Sequence, residues 1–363
     1  MRTPDNDTYQ AAREAFLARI GHAQHISYPH PLKGPDGDIA MDIAFWNASH
    51  SEDVLVVSSG THGIEGYCGG FIQCALLDEG LPAKIDGRFA LMMIHGVNPY
   101  GFAWQRRVNE NNVDLNRNFI DHSRPHPKNT SYAELASIVE PATWGTETPA
   151  SILSALLALS RNHPEDPRWL QAALSGGQYE YPGGQFYGGT EPQWSNQCIQ
   201  ALMQSHLSER NVIWLDIHTA LGDYGTAQCI VELEPESTLL ARAATLWGER
   251  VVNMGSADSV SVAVAGSMIS GAQAASTREL LGQGLEFGTV NSLEVIQSLI
   301  QDQWLHRHGE LNSALGKQTK QRMMDAFYPD DPTWRASVLD IAREVVDAVI
   351  ERGFLTSQDQ IAR

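Results

Sequence analysis

The sequence has few cysteines and few positive charges. Its 363 residues include four cysteines, and no two of them form a CxxC pair, which excludes a disulfide scaffold and a cysteine-ligated zinc site. The 25 Lys and Arg residues are outnumbered by 43 Asp and Glu residues, and the formal net charge of −18 repels polyanions. We therefore expect neither a nucleic acid nor an anionic membrane as a partner.

Long hydrophobic segments are also missing. No run approaches the roughly 18 apolar residues of a membrane-spanning helix. Residues 1–10 are polar and acidic, and they lack the apolar stretch and the small-residue cleavage site of a signal peptide. The cysteines are then interpreted as buried thiols in a reducing compartment. We expect a cytoplasmic protein with no membrane segment, and whether it forms oligomers stays open.

The residues that are present favour an α/β fold. Residues 54–58 and 89–94 are short, almost wholly apolar runs, typical of strands buried on both faces of a sheet. Residues 65–77 between them have helical spacing, and the alternation recurs from residue 191 onward. This pattern predicts a central, mostly parallel or mixed sheet covered by helices on both faces.

Two irregular stretches interrupt this alternation. Residues 95–127 are rich in Asn, Arg, Pro and Gly, and they form a connection far longer than the median of roughly 4–6 residues. Residues 175–189 contain too many glycines for a regular element, and we predict an ordered lid or rim there. Because no linker or repeat marks a boundary, residues 1–363 are predicted to form one large domain, with 127–191 as an insertion or active-site rim.

A candidate metal site follows the first buried strand. The segment 59–66 reads SGTHGIEG, and it must lie beyond the carboxyl end of that strand, where open α/β sheets bind ligands. His62 and Glu65 are three residues apart at the turn, so both can reach one ion. A hydrogen-bonded histidine beside a helix-starting glutamate is the structural alternative.

A second strand supplies a further histidine. The largely apolar run 212–217 is followed by His218, on the same expected edge of the sheet. Two histidines and one glutamate, His62, Glu65 and His218, make the ligand set of a catalytic zinc, with the fourth position left for water. The same donors suit iron, and a core histidine that caps its strand is the structural alternative for His218.

Charged residues elsewhere fit the same site. Arg106, Arg107 and Arg117 lie close together in an otherwise acidic chain, and guanidinium groups suit a bidentate grip on a carboxylate. Surface salt bridges are the alternative for each of them. Glu286 lies between Leu285 and Phe287 near a predicted strand end, where a carboxylate needs a partner such as water on a Lewis-acidic ion.

The order of these motifs resembles the zinc carboxypeptidase superfamily, which includes succinylglutamate desuccinylase and aspartoacylase. The motifs are HxxE, NP-x-G, an arginine, VDLNRNF at 113–119, the strand-end His218 and the later Glu286. The chain looks closest to a bacterial branch with HG-[IV]-EG and D-x-HT-x-LG signatures. The matched segments run from about residue 55 to residue 286, which is most of the chain.

The resemblance implies a role for each matching residue. His62, Glu65 and His218 would bind one Zn²⁺, and Asp114 would orient the first histidine. Asn116 and Arg117 would hold the terminal carboxylate of the substrate. Arg107, with Arg106 as the fallback, would stabilise the oxyanion, and Glu286 would be the general base. A mobile tyrosine covers the substrate in carboxypeptidases, and here Tyr187 and Tyr224 are both candidates.

The predicted activity is therefore zinc-dependent hydrolysis of an amide bond next to a free carboxylate, by a metallocarboxypeptidase acting on small peptides. The alternative within hydrolases is an N-acyl amino acid deacylase of the desuccinylase or aspartoacylase type. A rival from another class is a catalytically inert, metal-containing binding module. Presence of both the ligand set and Glu286 favours an enzyme, because a binding module needs no base.

Overall fold

A computed structural model describes residues 7–49, 51–85 and 87–354. Residues 1–6 of the segment examined for a signal peptide lie outside the described residues. The strands are β1 (Gln24–Gly34), β2 (Gly37–Trp46), β3 (Asp53–Ser59), β4 (Ala90–His95), β5 (Asn211–Ala220), β6 (Ala227–Val231), β7 (Val251–Asn253) and β8 (Leu280–Gly288). The helices are α1 (Tyr9–Leu17), α2 (Gly66–Asp78), α3 (Leu81–Ile85), α4 (Pro99–Ala103), α5 (Tyr132–Val139), α6 (Thr148–Ser160), α7 (Trp169–Ser175), α8 (Trp194–Leu202), α9 (Thr238–Trp247), α10 (Met268–Ala275), α11 (Ser292–His308), α12 (Ala314–Phe327) and α13 (Pro332–Arg352).

The strands form one mixed sheet in the order β1-β2-β4-β3-β5-β8-β6-β7. The central strands β4, β3, β5 and β8 run parallel, whereas the pairs β1–β2, β2–β4 and β6–β8 are antiparallel and β6–β7 is parallel. Parallel strands need crossover connections, and here helices supply them. The carboxyl ends of β3, β5 and β8 consequently meet at one edge of the sheet, where the candidate residues were predicted.

Helices cover both faces of this sheet. Along β3, Leu55 and Val57 pack into one hydrophobic cluster with residues of α1, α2 and α13. Val54 and Val56 point the other way and pack with residues of α8 and α10. All four side chains are buried, so this strand has no solvent-facing side and reads as a continuous apolar run. The predicted α/β fold, a mixed sheet between helical layers, is confirmed.

Strand β1, which forms an antiparallel hairpin with β2, was not predicted from the sequence. Strand β1 contains Pro29 and Pro31, and most of its residues are exposed or half-buried. It lies at the edge of the sheet, pairs among the described strands with β2 alone, and has a register shift between Pro29 and Lys33. An edge position tolerates proline because one side of the strand donates no ladder hydrogen bonds. The sequence of β1 therefore carries no alternating hydrophobic signal.

Residues 127–191 contain α5, α6 and α7 and contribute no named strand to the sheet over this described range. The irregular end of this region, 176–189, contains no helix, in agreement with its glycine content. Whether the region acts as an active-site rim stays a prediction. Within the part of the chain that the structure describes, no helix is both long enough and apolar enough to cross a membrane.

Candidate active site

The sheet brings the predicted residues together at the carboxyl ends of β3, β5 and β8. His218 on β5 is paired in register with Glu286 on β8. His62 and Glu65 lie in the turn that leaves β3 and enters α2. This turn packs so tightly against α4 that a Cβ on Gly63 would lie 2.1 Å from the backbone of Gly101. Only glycine fits there, which explains the HG pair of the motif.

His62, Glu65 and His218 form the cluster that could hold a metal ion. Their ligand atoms all lie within 4.8 Å of one another, and all three side chains are buried. The Glu65 carboxylate lies between the imidazoles, with Oε1 2.9 Å from His62 Nδ1 and Oε2 2.9 Å from His218 Nδ1. The two Nδ1 atoms are 3.2 Å apart. The predicted convergence of these three residues is therefore found.

The other nitrogen of each imidazole faces an aspartate. His62 Nε2 lies 3.2 Å from Asp114 Oδ1, as the resemblance implied, and His218 Nε2 lies 2.6 Å from Asp216 Oδ2. A carboxylate that accepts the Nε2 proton of His218 leaves the Nδ1 lone pair facing Glu65. Two acceptors at this distance repel unless a cation or a proton lies between them. The donors present therefore fit a divalent metal.

The charges around His218 support the same conclusion. Burial opposes protonation of this histidine, but the carboxylates of Asp216 and Glu65 outweigh burial and raise its pKa well above the ordinary value. The pKa of Glu65 is lowered to about 2, because the two histidines outweigh the effect of burial on its carboxylate. The pocket thus favours positive charge at this point, and a metal ion would replace the protons.

Asp216 was missed by the sequence analysis as a functional residue. It precedes His218 by two residues on β5, so both side chains lie on the same face of the strand. Its Oδ1 atom accepts hydrogen bonds from Ser58 Oγ at 2.6 Å and Thr61 Oγ1 at 2.9 Å. The D-x-HT spacing is the signal that could have identified it, because an acid two residues before a strand histidine can orient it.

The two neighbouring arginines point to different places. The Arg107 side chain joins the cluster, donating from Nε to Asp114 Oδ2 at 3.0 Å and from Nη1 to Glu65 Oε1 at 3.3 Å. Its Nη2 atom lies 2.8 Å from His62 Nε2. Arg106 instead forms a buried ion pair with Asp302, 3.1 Å away on α11. The structure therefore places Arg107, and not Arg106, beside the metal-type cluster, that is, the cluster of His62, Glu65 and His218 that could hold a metal ion.

Asn116 and Arg117 lie beside the cluster. The Asn116 Nδ2 atom is 3.4 Å from His218 Nε2, and its Oδ1 atom accepts a hydrogen bond from the Met268 N–H at 2.9 Å. Arg117 is 6% exposed and donates to the backbone carbonyls of Asn116 and Ser175. Its Nε has no hydrogen-bond partner, and within the described ranges no carboxylate forms an ion pair with it. Burial lowers the pKa of this guanidinium.

Glu286 lies next to the cluster with an altered acidity. Burial, followed by the nearby charge of Glu65, raises the pKa of its carboxyl to about 7. One oxygen, Oε1, accepts a hydrogen bond from the Leu221 N–H at 2.9 Å. The other oxygen is left to hold or release a proton. A carboxyl group whose pKa lies near neutral pH suits a general base.

The two candidate tyrosines differ in their contacts with this part of the structure. Tyr187 is buried, and its carbonyl accepts a hydrogen bond from the Asp114 N–H at 2.8 Å. Tyr224 is 49% exposed and donates a 2.8 Å hydrogen bond to Asp331. Neither hydroxyl forms a hydrogen bond with a residue of the metal-type cluster in the described structure. The role of both tyrosines stays a prediction.

Comparisons with known proteins identify a family and several solved structures. One solved structure is thrombin-activatable fibrinolysis inhibitor, at 12% identity and a TM-score of 0.45, with 95% of this chain and 73% of the other chain covered. Another is carboxypeptidase A from Helicoverpa armigera, at 14% identity and a TM-score of 0.43, with 88% and 73% covered. A third is a metallo-carboxypeptidase from Burkholderia cenocepacia, at 12% identity and a TM-score of 0.40, with 94% and 69% covered.

No curated protein matches the chain. A family model described as "Protein of unknown function (DUF2817)" matches residues 6–341, which is most of the sequence. The chain therefore belongs to this DUF2817 family.

Proposed function

We propose that this protein is a zinc-dependent hydrolase that cleaves an amide bond next to a free carboxylate, as a metallocarboxypeptidase does. The observation that carries the proposal is the convergence of His62, Glu65 and His218, with Asp114 and Asp216 holding the outward nitrogens of the histidines. Three protein ligands leave one tetrahedral position for water, which is the arrangement of catalytic zinc. A zinc ion held there supplies a water of lowered pKa and polarises a carbonyl oxygen.

Glu286 is proposed to move the proton. Its Oε1 atom is occupied by the Leu221 N–H, so Oε2 is the atom that takes a proton from the attacking water and returns it to the leaving amine. In the metal-free site the pKa of Glu286 is about 7, and the positive charge of a zinc ion nearby would lower it, which favours the ionised carboxylate that a general base requires.

Arg107 is proposed to bind the scissile carbonyl oxygen. A guanidinium has five N–H donors, and two nitrogens of Arg107 donate to carboxylates, Nε to Asp114 and Nη1 to Glu65. These contacts fix the plane of the group and leave N–H donors for a substrate oxygen. Because the group is oriented before substrate arrives, it stabilises the developing negative charge without reorganisation.

Arg117 is proposed to bind the free carboxylate. A buried charge without a partner costs several kcal/mol, on the order of the penalties measured for unpaired buried ions. Arg117 is buried, its Nε is unpartnered and its pKa is lowered by burial. The charges of Asp114 and Glu232 act on Arg117, but neither forms an ion pair with it in the described structure, and a substrate carboxylate would supply a direct ion pair and the missing acceptor for Nε. This requirement favours substrates with a free carboxylate over amidated ones.

The test combines metal analysis with a substrate panel. Purified protein is analysed for bound metal, then assayed before and after chelation on dipeptides, on C-terminally amidated dipeptides and on N-acyl amino acids. We expect one zinc per chain and chelator-sensitive cleavage of the substrates with free carboxylates. Preference for N-acyl amino acids over dipeptides would instead identify a deacylase. Metal binding without turnover on any of them would contradict the proposal and indicate a binding module.

A pair of matched variants separates the base from the metal site. Glu286→Gln should retain zinc and lose most of its kcat, whereas His62→Ala should lose zinc. Glu232→Gln is the control for kcat only, because Glu232 is also a largely buried acid whose pKa burial raises and which accepts a hydrogen bond from Ser267, whereas its charge acts on Arg117 and could change KM. Glu232→Gln should keep wild-type kcat. Full turnover by Glu286→Gln would remove the assigned role of Glu286.

A further inference from the structure

The glycine-rich segment 177–189 contains one residue in an unusual backbone conformation. Phe186 has a φ of 51°, a region that bulky side chains rarely adopt and that persists only where the surroundings impose it. Its neighbours are fixed on both sides. The Gln185 N–H donates to the Tyr132 hydroxyl, and the Tyr187 carbonyl accepts from the Asp114 N–H. The Phe186 carbonyl itself accepts a 3.2 Å hydrogen bond from the Gln178 N–H.

This conformation places the Phe186 ring beside both arginines of the site. The centre of the Arg107 guanidinium lies 5.0 Å from the ring centroid, and that of Arg117 lies 5.7 Å from it. Both distances fall within the roughly 6 Å range of a cation–π interaction, which is strongest where water is excluded. Phe186 and Arg117 are 8% and 6% exposed. One aromatic ring therefore contacts two positive charges in a nearly dry environment.

We infer that Phe186 is a positioning residue that sets the spacing between the Arg107 and Arg117 guanidiniums. The two groups carry like charges, and the positive charge of Arg107 opposes that of Arg117. The negative face of the ring offsets this repulsion for both groups at once. In the proposed function, on which this role depends, Arg107 binds the carbonyl oxygen and Arg117 binds the carboxylate. The ring thereby fixes the distance between the two groups that the substrate must present.

The choice of residue follows from this role. Arg117 takes two of its hydrogen bonds from backbone carbonyls, which restrain the guanidinium but do not neutralise it. Leucine would fill part of the space of Phe186 without offering a π face. The backbone strain at Phe186 costs free energy, and the strained conformation directs the aromatic ring to its position beside the two guanidiniums.

The first test uses Phe186→Leu, with Phe186→Tyr as the conservative variant that keeps the ring. Loss of two cation–π contacts should reduce kcat/KM on a free-carboxylate substrate by about 5- to 30-fold. KM should rise because Arg117 is loosened, and kcat should fall because Arg107 is loosened. Phe186→Tyr should retain most of the wild-type activity. Phe89→Leu is the matched control, a buried phenylalanine that contacts Phe354, and it should keep wild-type constants.

The second test does not depend on turnover. Phenylglyoxal modifies accessible arginines, and mass spectrometry of peptides gives a separate rate for Arg107 and Arg117. Both rates should rise several-fold in Phe186→Leu and stay at the wild-type level in Phe186→Tyr and Phe89→Leu. Should Phe186→Leu fail to fold, Phe186→Asn replaces it, because asparagine tolerates positive φ and also lacks the ring.

The outcomes separate this inference from the proposed function. If wild-type protein cleaves no free-carboxylate substrate, the proposed function fails, and the modification rates alone decide the role of Phe186. Unchanged modification rates in a folded variant without the ring would overturn the positioning role. So would a Phe186→Tyr variant as impaired as Phe186→Leu, since the two variants differ in the aromatic ring.

Discussion

Asp216→Asn should abolish strong zinc binding through a change of tautomer in His218. Ser58 Oγ accepts a hydrogen bond from the Trp214 indole N–H at 2.7 Å, so its own proton points to Asp216 Oδ1. Thr61 Oγ1 lies 2.9 Å from the same oxygen. In the variant this position requires the amide oxygen, which leaves the amide NH₂ facing His218 Nε2. The amide then donates where the carboxylate accepted.

The new hydrogen bond at Nε2 of His218 changes the protonation of Nδ1, the other nitrogen of the ring. Once Nε2 of His218 becomes an acceptor, the neutral imidazole carries its proton on Nδ1, which faces Glu65 at 2.9 Å. A protonated nitrogen cannot bind a metal. Loss of an outer partner typically weakens metal binding by about 10- to 100-fold, or about 1.4–2.8 kcal/mol. Because the tautomer is also reversed, we expect a loss at or above the upper end of this range.

The assay is competition for zinc against a chromophoric chelator at fixed pH. Asp42→Asn is the matched control, because Asp42 is fully buried and its Oδ1 lies 3.0 Å from His25 Nε2 on the adjacent strand, away from the cluster. The control should bind zinc as the wild type does. An Asp216→Asn variant with zinc affinity within about twofold of wild type would refute the tautomer argument.

Three further predictions concern the neighbouring residues. Arg117→Ala should raise KM for free-carboxylate substrates in steady-state assays while changing KM for amidated substrates little, and equal effects on both would contradict its role. Gly177→Ala should also raise KM for free-carboxylate substrates, because a Cβ at its φ of +92° would lie 2.6 Å from Arg117 Cδ, and unchanged KM would contradict this contact. Finally, the raised pKa of Glu286 means that the folded state holds a proton that the unfolded state releases above its ordinary pKa of 4.5. The contribution of Glu286 to stability is therefore present below pH 4.5 and lost as pH rises through about 7. In metal-free protein, thermal unfolding between pH 5 and 8 should show a larger fall in Tm for wild type than for Glu286→Gln. Parallel plots of Tm against pH for the two proteins would contradict the raised pKa of Glu286.

The parts of the fold that were predictable are those buried on both sides. Strand β3 and its neighbours β4 and β5 read as continuous apolar runs because helices cover both faces of the sheet. Strand β8 was recognised only near its end, at residues 285–287, because Gly282 and Gly284 interrupt its apolar pattern. Gly282 is required by packing, because a Cβ at this position would lie 2.4 Å from Ile269. Such contacts between distant elements leave no local signal.

The residues of the site also divide into those that could be predicted from the sequence and those that could not. His62, Glu65 and His218 were predictable because strand ends share one edge of a parallel sheet, so position in the chain determines position in space. The difference between Arg106 and Arg107 was not predictable. It depends on Asp302 and Lys320, which lie about 200 residues farther along the chain and form a buried charge cluster with Arg106. Phe186 was also missed, because its importance arises from a backbone angle that no composition signal reveals.

Asp114 links two events that are usually considered separately. One of its oxygens holds the imidazole of His62, and the other holds the guanidinium of Arg107. Any shift of this carboxylate changes its contacts with both partners. The free energy of metal binding is therefore coupled to the free energy with which Arg107 binds a carbonyl oxygen. By thermodynamic reciprocity, a ligand that binds Arg107 must raise the equilibrium affinity for the ion by the same factor with which the ion raises the affinity for that ligand. When the metal is removed, we therefore expect substrate affinity to fall before the protein unfolds.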